Sequence, residues 1–247
     1  MSEKITVRNV SKKFRKDINP GSALRKLVSF GSGRDSREKF DVLKDVSFDV
    51  KSGEVVGIIG KNGSGKSTLL RIIAGIYKPD SGRVKTEGKV ISLIDLGSSM
   101  QPSLTMRHNI YLCAAFLGLS TKEISKKFGE IVEFSGLKDF IETRVYKFSS
   151  GMIARLVFSI AVHCNPEILL LDEVFEVGDE EFKKKSGEKI RELINKGCSA
   201  IMVGHDLKNI GEQCSRIIWI KNGKIEMEGK PEDIVWRYYE DSLGKAG

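Results

Sequence analysis

The apolar and polar positions along the chain alternate between short, continuous apolar runs and longer stretches with helical periodicity. Ile5-Thr6-Val7, Val46 to Val50, Val55 to Ile59, Val90 to Ile94, Ile168 to Leu171, Ala200 to Val203 and Ile217 to Ile220 read as strands. Several are unbroken β-branched or Leu runs, the pattern of strands buried on both faces. Helical patterns separate them, which predicts an α/β core with a largely parallel sheet. Between Thr105 and Cys164 the strand signal disappears. Three helical stretches, roughly 106–118, 121–135 and 151–164, predict an inserted helical subdomain there. The chain then divides into a first core segment over 1–94, the helical subdomain over 95–165, and a second core segment with a short tail over 166–247.

Residues 15–40 break the pattern. They carry seven Lys/Arg, three acids and scattered Gly and Ser, and read as a surface insertion. Leu24, Leu27 and Val28 would form one apolar stripe if a short basic helix forms there. Two readings stand: a surface loop, or a contact element against a membrane protein or lipid surface.

Composition narrows the class. With 247 residues, 40% apolar and 30% charged, the chain has an ordinary globular balance and enough length for a substantial core. Apolar runs such as Leu112 to Leu117 fall far short of the ~20 residues of a spanning helix. Met1-Ser2-Glu3-Lys4 leads straight into a strand, so no leader is expected and the chain should remain in the cytosol. Cys113, Cys164, Cys198 and Cys214 form no C-x-x-C pair and read as reduced interior thiols. A net charge of +8 suits an anionic partner without choosing among nucleotide, nucleic acid and membrane surface.

The chemistry is concentrated in Gly60-Lys61-Asn62-Gly63-Ser64-Gly65-Lys66-Ser67, which fits G-x-x-x-x-G-K-[ST]. Its glycines let backbone N–H groups turn inward to phosphate oxygens. Lys66 would reach the β- and γ-phosphates, and the Ser67 hydroxyl would ligate Mg²⁺. The setting agrees: Glu54 to Ile59 reads as a buried strand, and Ser67 to Ala74 as a helix whose N-terminus favours an anion. Gly60, Asn62, Gly63, Ser64, Gly65, Lys66, Ser67 and Thr68 are the candidate phosphate-binding residues. A second strand, Ile168-Leu169-Leu170-Leu171, delivers Asp172 and Glu173. Asp172 would hold Mg²⁺, and Glu173 would orient and activate the attacking water.

Phe148-Ser149-Ser150-Gly151-Met152 opens a helix containing Arg155, and Ser149 precedes Asp172 by 23 residues. In this arrangement the chain resembles the ATP-binding subunits of ABC transporters, where a Leu-Ser-Gly-Gly-Gln signature precedes the Asp-Glu strand. His205, ending Ala200 to Gly204, falls where that family has its switch histidine, and Asp179, six residues after Glu173, matches its D-loop aspartate. The resemblance covers essentially the whole chain. It implies a P-loop NTPase (RecA-like) core with a mixed, largely parallel sheet, an antiparallel β portion and the inserted helical subdomain. It also implies Mg-ATP hydrolysis in which two copies, head to tail, sandwich two ATP molecules. The phosphate loop of one copy would face Ser149, Ser150, Gly151 and Met152 of the other, and closure would drive an integral-membrane partner.

Three departures stand out. The signature reads Ser-Ser-Gly-Met, without the usual Gln. The γ-phosphate-sensing Gln is out of register: Asp95 or Leu96 falls near its place, and Gln101 lies late. The adenine-stacking aromatic is Phe14 by sequence context, with Phe40 a rival by its distance to Gly60. The signature, Val177-Gly178-Asp179 and the long segment between Phe14 and Phe40 resemble the polysaccharide, O-antigen and teichoic-acid exporter branch. Leu104-Thr105-Met106-Arg107-His108-Asn109-Ile110-Tyr111 is similar to that branch's Leu-Thr-Gly-Arg-Glu-Asn-Ile-Tyr. The match implies export of a lipid-linked glycan, with this subunit held at the cytoplasmic face of the inner membrane by a separate transmembrane subunit. Some members carry a C-terminal glycan-recognition domain; the sequence ends soon after Tyr238-Tyr239, so none is expected in it. The alternative is a soluble ABC-type ATPase acting on nucleic acid or ribosomes. One phosphate loop and no sustained heptads argue against it, and no nucleic acid is expected as partner. A P-loop kinase or GTPase would leave Ser149 to Met152 and His205 without a role.

Overall fold

The computed structural model describes residues 2–15, 39–94, 99–172, 179–204 and 206–244. Among these residues nine strands form two sheets: β1 (Glu3–Arg15), β2 (Lys39–Lys51), β3 (Val55–Ile59), β4 (Ser81–Thr86), β5 (Val90–Ser92), β6 (Ile168–Asp172), β7 (Ser199–Val203), β8 (Arg216–Lys221) and β9 (Lys224–Gly229). The main sheet runs β5-β6-β7-β3-β8-β9, parallel throughout except for the antiparallel edge pair β8–β9. A second, antiparallel sheet has the order β2-β1-β4.

The continuous apolar runs hold the centre because each must supply two cores at once. Side chains alternate across a strand, so Val55 and Ile59 of β3 enter one core while Val56 and Ile58 enter the other. Leu169 and Leu171 alternate likewise with Ile168 and Leu170, and Ile217 and Trp219 with Ile218 and Ile220. One core packs the sheet against the helical layer. The other fills the space between the main sheet, the antiparallel sheet and helix α1 (Lys66–Ile73).

Between β5 and β6 the chain forms α2 (Met106–Phe116), α3 (Thr121–Ser135) and α4 (Ser150–His163). Each begins at a hydroxyl cap: Thr105, Ser120, whose capping box includes Glu123, and Ser149. After β6 come α5 (Glu180–Asn195), capped by Asp179, then α6 (Leu207–Gln213) and α7 (Pro231–Ser242). Among the described residues no helix is long and apolar enough to cross a membrane.

The structure corrects some limits read from sequence. Arg15, Lys39 and Phe40, expected in the insertion, are strand residues: β1 and β2 stay paired out to Phe14↔Phe40 and Arg15↔Lys39. Register shifts at Val10/Lys12 and Lys12/Lys13 interrupt the alternation just ahead of these residues, so the period-two signal fades there. The expected stripe of Leu24, Leu27 and Val28 lies outside the described residues. β4 and β9 carry few apolar residues and gave no strand signal in advance.

Candidate nucleotide site

Parallel register brings the chemistry to one edge of the main sheet. Val203 pairs with Ile58 on one side and with Asp172 on the other. The carboxyl ends of β3, β6 and β7 therefore lie in one row, with the Gly60 loop leaving β3 and Asp172 ending β6. A crevice at the carboxyl ends of parallel strands is the usual place for a ligand in such sheets.

The loop from Gly60 to Ser67 is shaped by close approach. Gly65 is the N-cap of α1, with φ 110°, and a Cβ there would lie 2.7 Å from Leu43 Cδ2 and 2.8 Å from the Val42 carbonyl. At Gly60 a Cβ would lie 2.2 Å from the Ile220 carbonyl oxygen. Glycine is the residue that fits both turns. The loop thus wedges between β2, β8 and its own helix, and its backbone is set by packing. Lys66 is 6% exposed, and its ammonium donates to the carbonyls of Gly60 at 2.7 Å and Lys61 at 3.2 Å. Ser64 Oγ is buried with no hydrogen-bond partner. A buried hydroxyl is rarely left unpaired in a native protein, and Ser64 lies just ahead of the Gly65 cap of α1, where a helix N-terminus favours an anion. Asn62 and Gly63 are exposed, while Ser67 and Thr68 in the first turn of α1 are half-buried.

Asp172, half-buried, ends β6, against which α1 packs. A hydroxyl at Ser67 and a carboxylate at Asp172 are hard oxygen donors, the set Mg²⁺ prefers when substrate phosphates complete its shell. Glu173 and His205 lie outside the described residues, as do Asp95 and Leu96.

The signature segment is built differently. Ser149 caps α4, its Oγ accepting from the Met152 amide at 3.2 Å. Capping uses an acceptor lone pair and leaves the hydroxyl proton available to donate. Ser149 and Ser150 are exposed, and among the described residues beyond its neighbours and its own helix backbone a Cβ at Gly151 would find within 4 Å only Ser149 Oγ, at 3.9 Å. The free first-turn amides of a 14-residue helix face outward here.

Phe14 and Phe40, the rival aromatics, are cross-strand partners with ring centroids 6.3 Å apart. Tyr77, just beyond α1, stands edge-on to Phe14 at 5.7 Å. Sequence reading missed Tyr77; its only signal was an aromatic close behind the phosphate-loop helix. Asn109 belongs to the Leu104–Tyr111 motif. Fully buried, it holds the segment ahead of α2: its Oδ1 accepts from the Gln101 amide at 2.7 Å, and its Nδ2 donates to the carbonyls of Gln101, Leu104 and Thr105. Gln101 is thus tied to α2 through its backbone.

A phosphate-shaped loop at the carboxyl edge of a parallel sheet, beside a strand-end aspartate, defines the class of P-loop nucleotide hydrolases. Comparison with known proteins narrows it. Residues 43–176 match the profile of the ABC transporter family. The chain is 40% identical over 242 residues to the O-antigen export system ATP-binding protein RfbB of Klebsiella pneumoniae, covering 96% of this chain and 98% of that one. It is 41% identical over 235 residues to the teichoic acids export ATP-binding protein TagH of Lactococcus lactis, but spans only 50% of that protein's length. Among solved structures, the ATP-binding cassette MJ0796, a dimer in a post-hydrolysis state bound to ADP and phosphate, superposes with a TM-score of 0.75 at 26% identity, covering 92% of this chain and 98% of that one. The chain belongs to the ABC transporter family and is an ATP-binding, ATP-hydrolysing cassette of it.

Proposed function

We propose that the chain is the ATPase subunit of an ABC transporter that powers export of a lipid-linked polysaccharide, of O-antigen, capsule or teichoic-acid type, across the cytoplasmic membrane. The observation that carries the nucleotide half of this reading is the Gly60–Ser67 loop. Gly60 and Gly65 leave no room for side chains, Lys66 is buried, and the Ser64 hydroxyl is buried without a partner. The export half rests on similarity across nearly the whole chain to ATP-binding subunits of O-antigen and teichoic acid export systems.

The roles follow from chemistry. The loop amides, the α1 N-terminus and Lys66 bind the phosphates, Lys66 exchanging its two carbonyl contacts for phosphate oxygens. Ser67 and Asp172 hold Mg²⁺, which when bound neutralises phosphate charge. Glu173 orients the attacking water and takes its proton, and His205 contacts the γ-phosphate. Phe14 stacks on the adenine, with Phe40 and Tyr77 beside it. Ser149, Ser150, Gly151 and Met152 serve the nucleotide of a second copy, donating from the Ser149 hydroxyl and the outward amides of α4. The subunit sits at the cytoplasmic face of the membrane through its transmembrane partner.

Glu173→Gln tests the chemistry: it should keep Mg-ATP binding, stop turnover, and trap a dimer visible by size-exclusion chromatography with ATP. Wild-type turnover in that variant would remove Glu173 from the role. Affinity purification from membranes tests the coupling: the expected companion, by mass spectrometry, is an integral-membrane subunit of a glycan exporter. Recovery of only ribosomal or DNA-bound complexes would overturn the transport reading in favour of a soluble ABC-type ATPase.

A further inference from the structure

Arg155 lies on the second turn of α4, one turn past the signature segment, and reaches away from it. Its Nε donates to the Ser135 carbonyl at 3.1 Å, at the last residue of α3. Its Nη1 donates to Asp179 Oδ2 at 3.3 Å, and the guanidinium lies 5.1 Å from the ring centroid of Phe182 on α5. One planar cation therefore joins three elements: the helix that carries Ser149, the end of α3, and the cap of α5. Space is kept for it. A Cβ at Gly136, which ends α3 with φ 66°, would come within 2.4 Å of Arg155 Nη2.

The Asp179 carboxylate is divided between two tasks. Oδ1 accepts from the Phe182 amide at 2.8 Å and caps α5, while Oδ2 takes the arginine. An aspartate used only as a helix cap needs no cation one helix away. Stability does not explain the pair either: the Asp179 side chain is 61% exposed, and ion pairs so exposed contribute little to folding. What the contact does is geometric. It ties the helix that carries Ser149 to the Asp179 cap of α5.

We propose that Arg155 is a positioning residue, a clamp that makes the signature helix and the Asp179 cap move as one unit, so that Ser149 and Gly151 are presented in register with the hydrolytic end of β6. The inference rests on the proposed ATPase role of the site. Arg155 touches neither nucleotide nor metal in this scheme. Its removal spares ATP binding and slows turnover, because small misplacements of reacting groups cost rate far more than affinity.

Arg155→Met keeps the length and the apolar contact with Phe182, and Asp179→Asn keeps the cap. Each should lower kcat roughly tenfold with KM for ATP unchanged, and the double variant should fall no further than the worse single one, as for residues acting as one unit. A purely structural role would lower Tm and leave kcat per folded molecule intact; that result, or independent multiplication of the two losses, overturns the proposal. Hydrogen exchange reads the clamp without turnover: in Arg155→Met the Phe182 amide should exchange faster than in the wild type. No change there refutes the clamp even if the ATPase reading holds. Absence of ATP turnover in the wild-type chain with its membrane partner refutes the ATPase reading, and with it the functional claim for Arg155, whatever the exchange shows.

Discussion

The phosphate loop and the signature segment both start a helix, both use glycine and serine, and both leave helix amides free for an anion. They differ in what surrounds them. At Gly65 an added Cβ would strike Leu43 and Val42, whereas one at Gly151, among the described residues beyond its neighbours and its own helix backbone, would meet only Ser149 Oγ within 4 Å. The loop is closed in by its own chain, whereas Ser149 and Ser150 of the signature are exposed and only Met152 packs against the core. Packing demands glycine at Gly65, while packing within the described residues makes no such demand at Gly151. In the proposed scheme Gly151 faces the nucleotide of a second copy.

The comparison breaks most sharply in binding and turnover. Lys66→Ala should weaken Mg-ATP binding by about a hundredfold or more, since two or more charge-assisted hydrogen bonds are lost; a fluorescent nucleotide titration reads this. Gly151→Asp should leave binding to the single chain within about twofold yet lower turnover by about a hundredfold, because a carboxylate placed among the donors repels phosphate. Mixing the two variants then restores turnover, since a mixed dimer contains one site with an intact loop and an intact signature. Failure of the mixture to exceed either variant alone would mean that the two regions do not share a site.

A middle-sized effect should appear in stability. Gly65→Ala forces a Cβ into Leu43 at an unfavourable φ, and should cost about 2–3 kcal/mol in urea unfolding. Gly151→Ala, in open space on a helix, should change stability by under about 1 kcal/mol, with stabilisation the more natural sign. Equal losses at both positions would erase the distinction.

The smallest effect lies outside both regions and serves as their control. Hydrogen bonds from Lys196 and Lys189 hold the Glu192 carboxyl down, to about 2 from its ordinary 4.5. A depressed carboxylate adds stability above its unfolded value and loses it as pH falls toward its folded one. Glu192→Gln should therefore flatten acid unfolding between about pH 4.5 and 2, only slightly because the side chain is 43% exposed, and leave nucleotide binding at neutral pH unchanged. Circular dichroism across that range checks it.

Legibility in the sequence tracked burial. Strands β3, β6, β7 and β8 were readable because both of their faces enter cores, so nearly every residue had to be apolar. β4 and β9, exposed along much of their length, carried no such pressure and were invisible. The phosphate loop was readable because a backbone-built anion cradle admits few residues at each position. Phe14 and Phe40, by contrast, looked like competitors 26 positions apart in sequence, and only the antiparallel register of β1 and β2 made them neighbours.

By itself, the sequence determined the α/β class, the nucleotide-gripping loop, the strand-end acids and the signature helix. Each of these is local, written within a few residues whose backbone geometry or burial tolerates little else. Tertiary structure decided which of these pieces meet: the row formed by the ends of β3, β6 and β7, the aromatic trio with Tyr77, and the reach of Arg155 to Asp179 across two helices. Such meetings depend on register and packing summed over the whole chain, and no short stretch of residues encodes them.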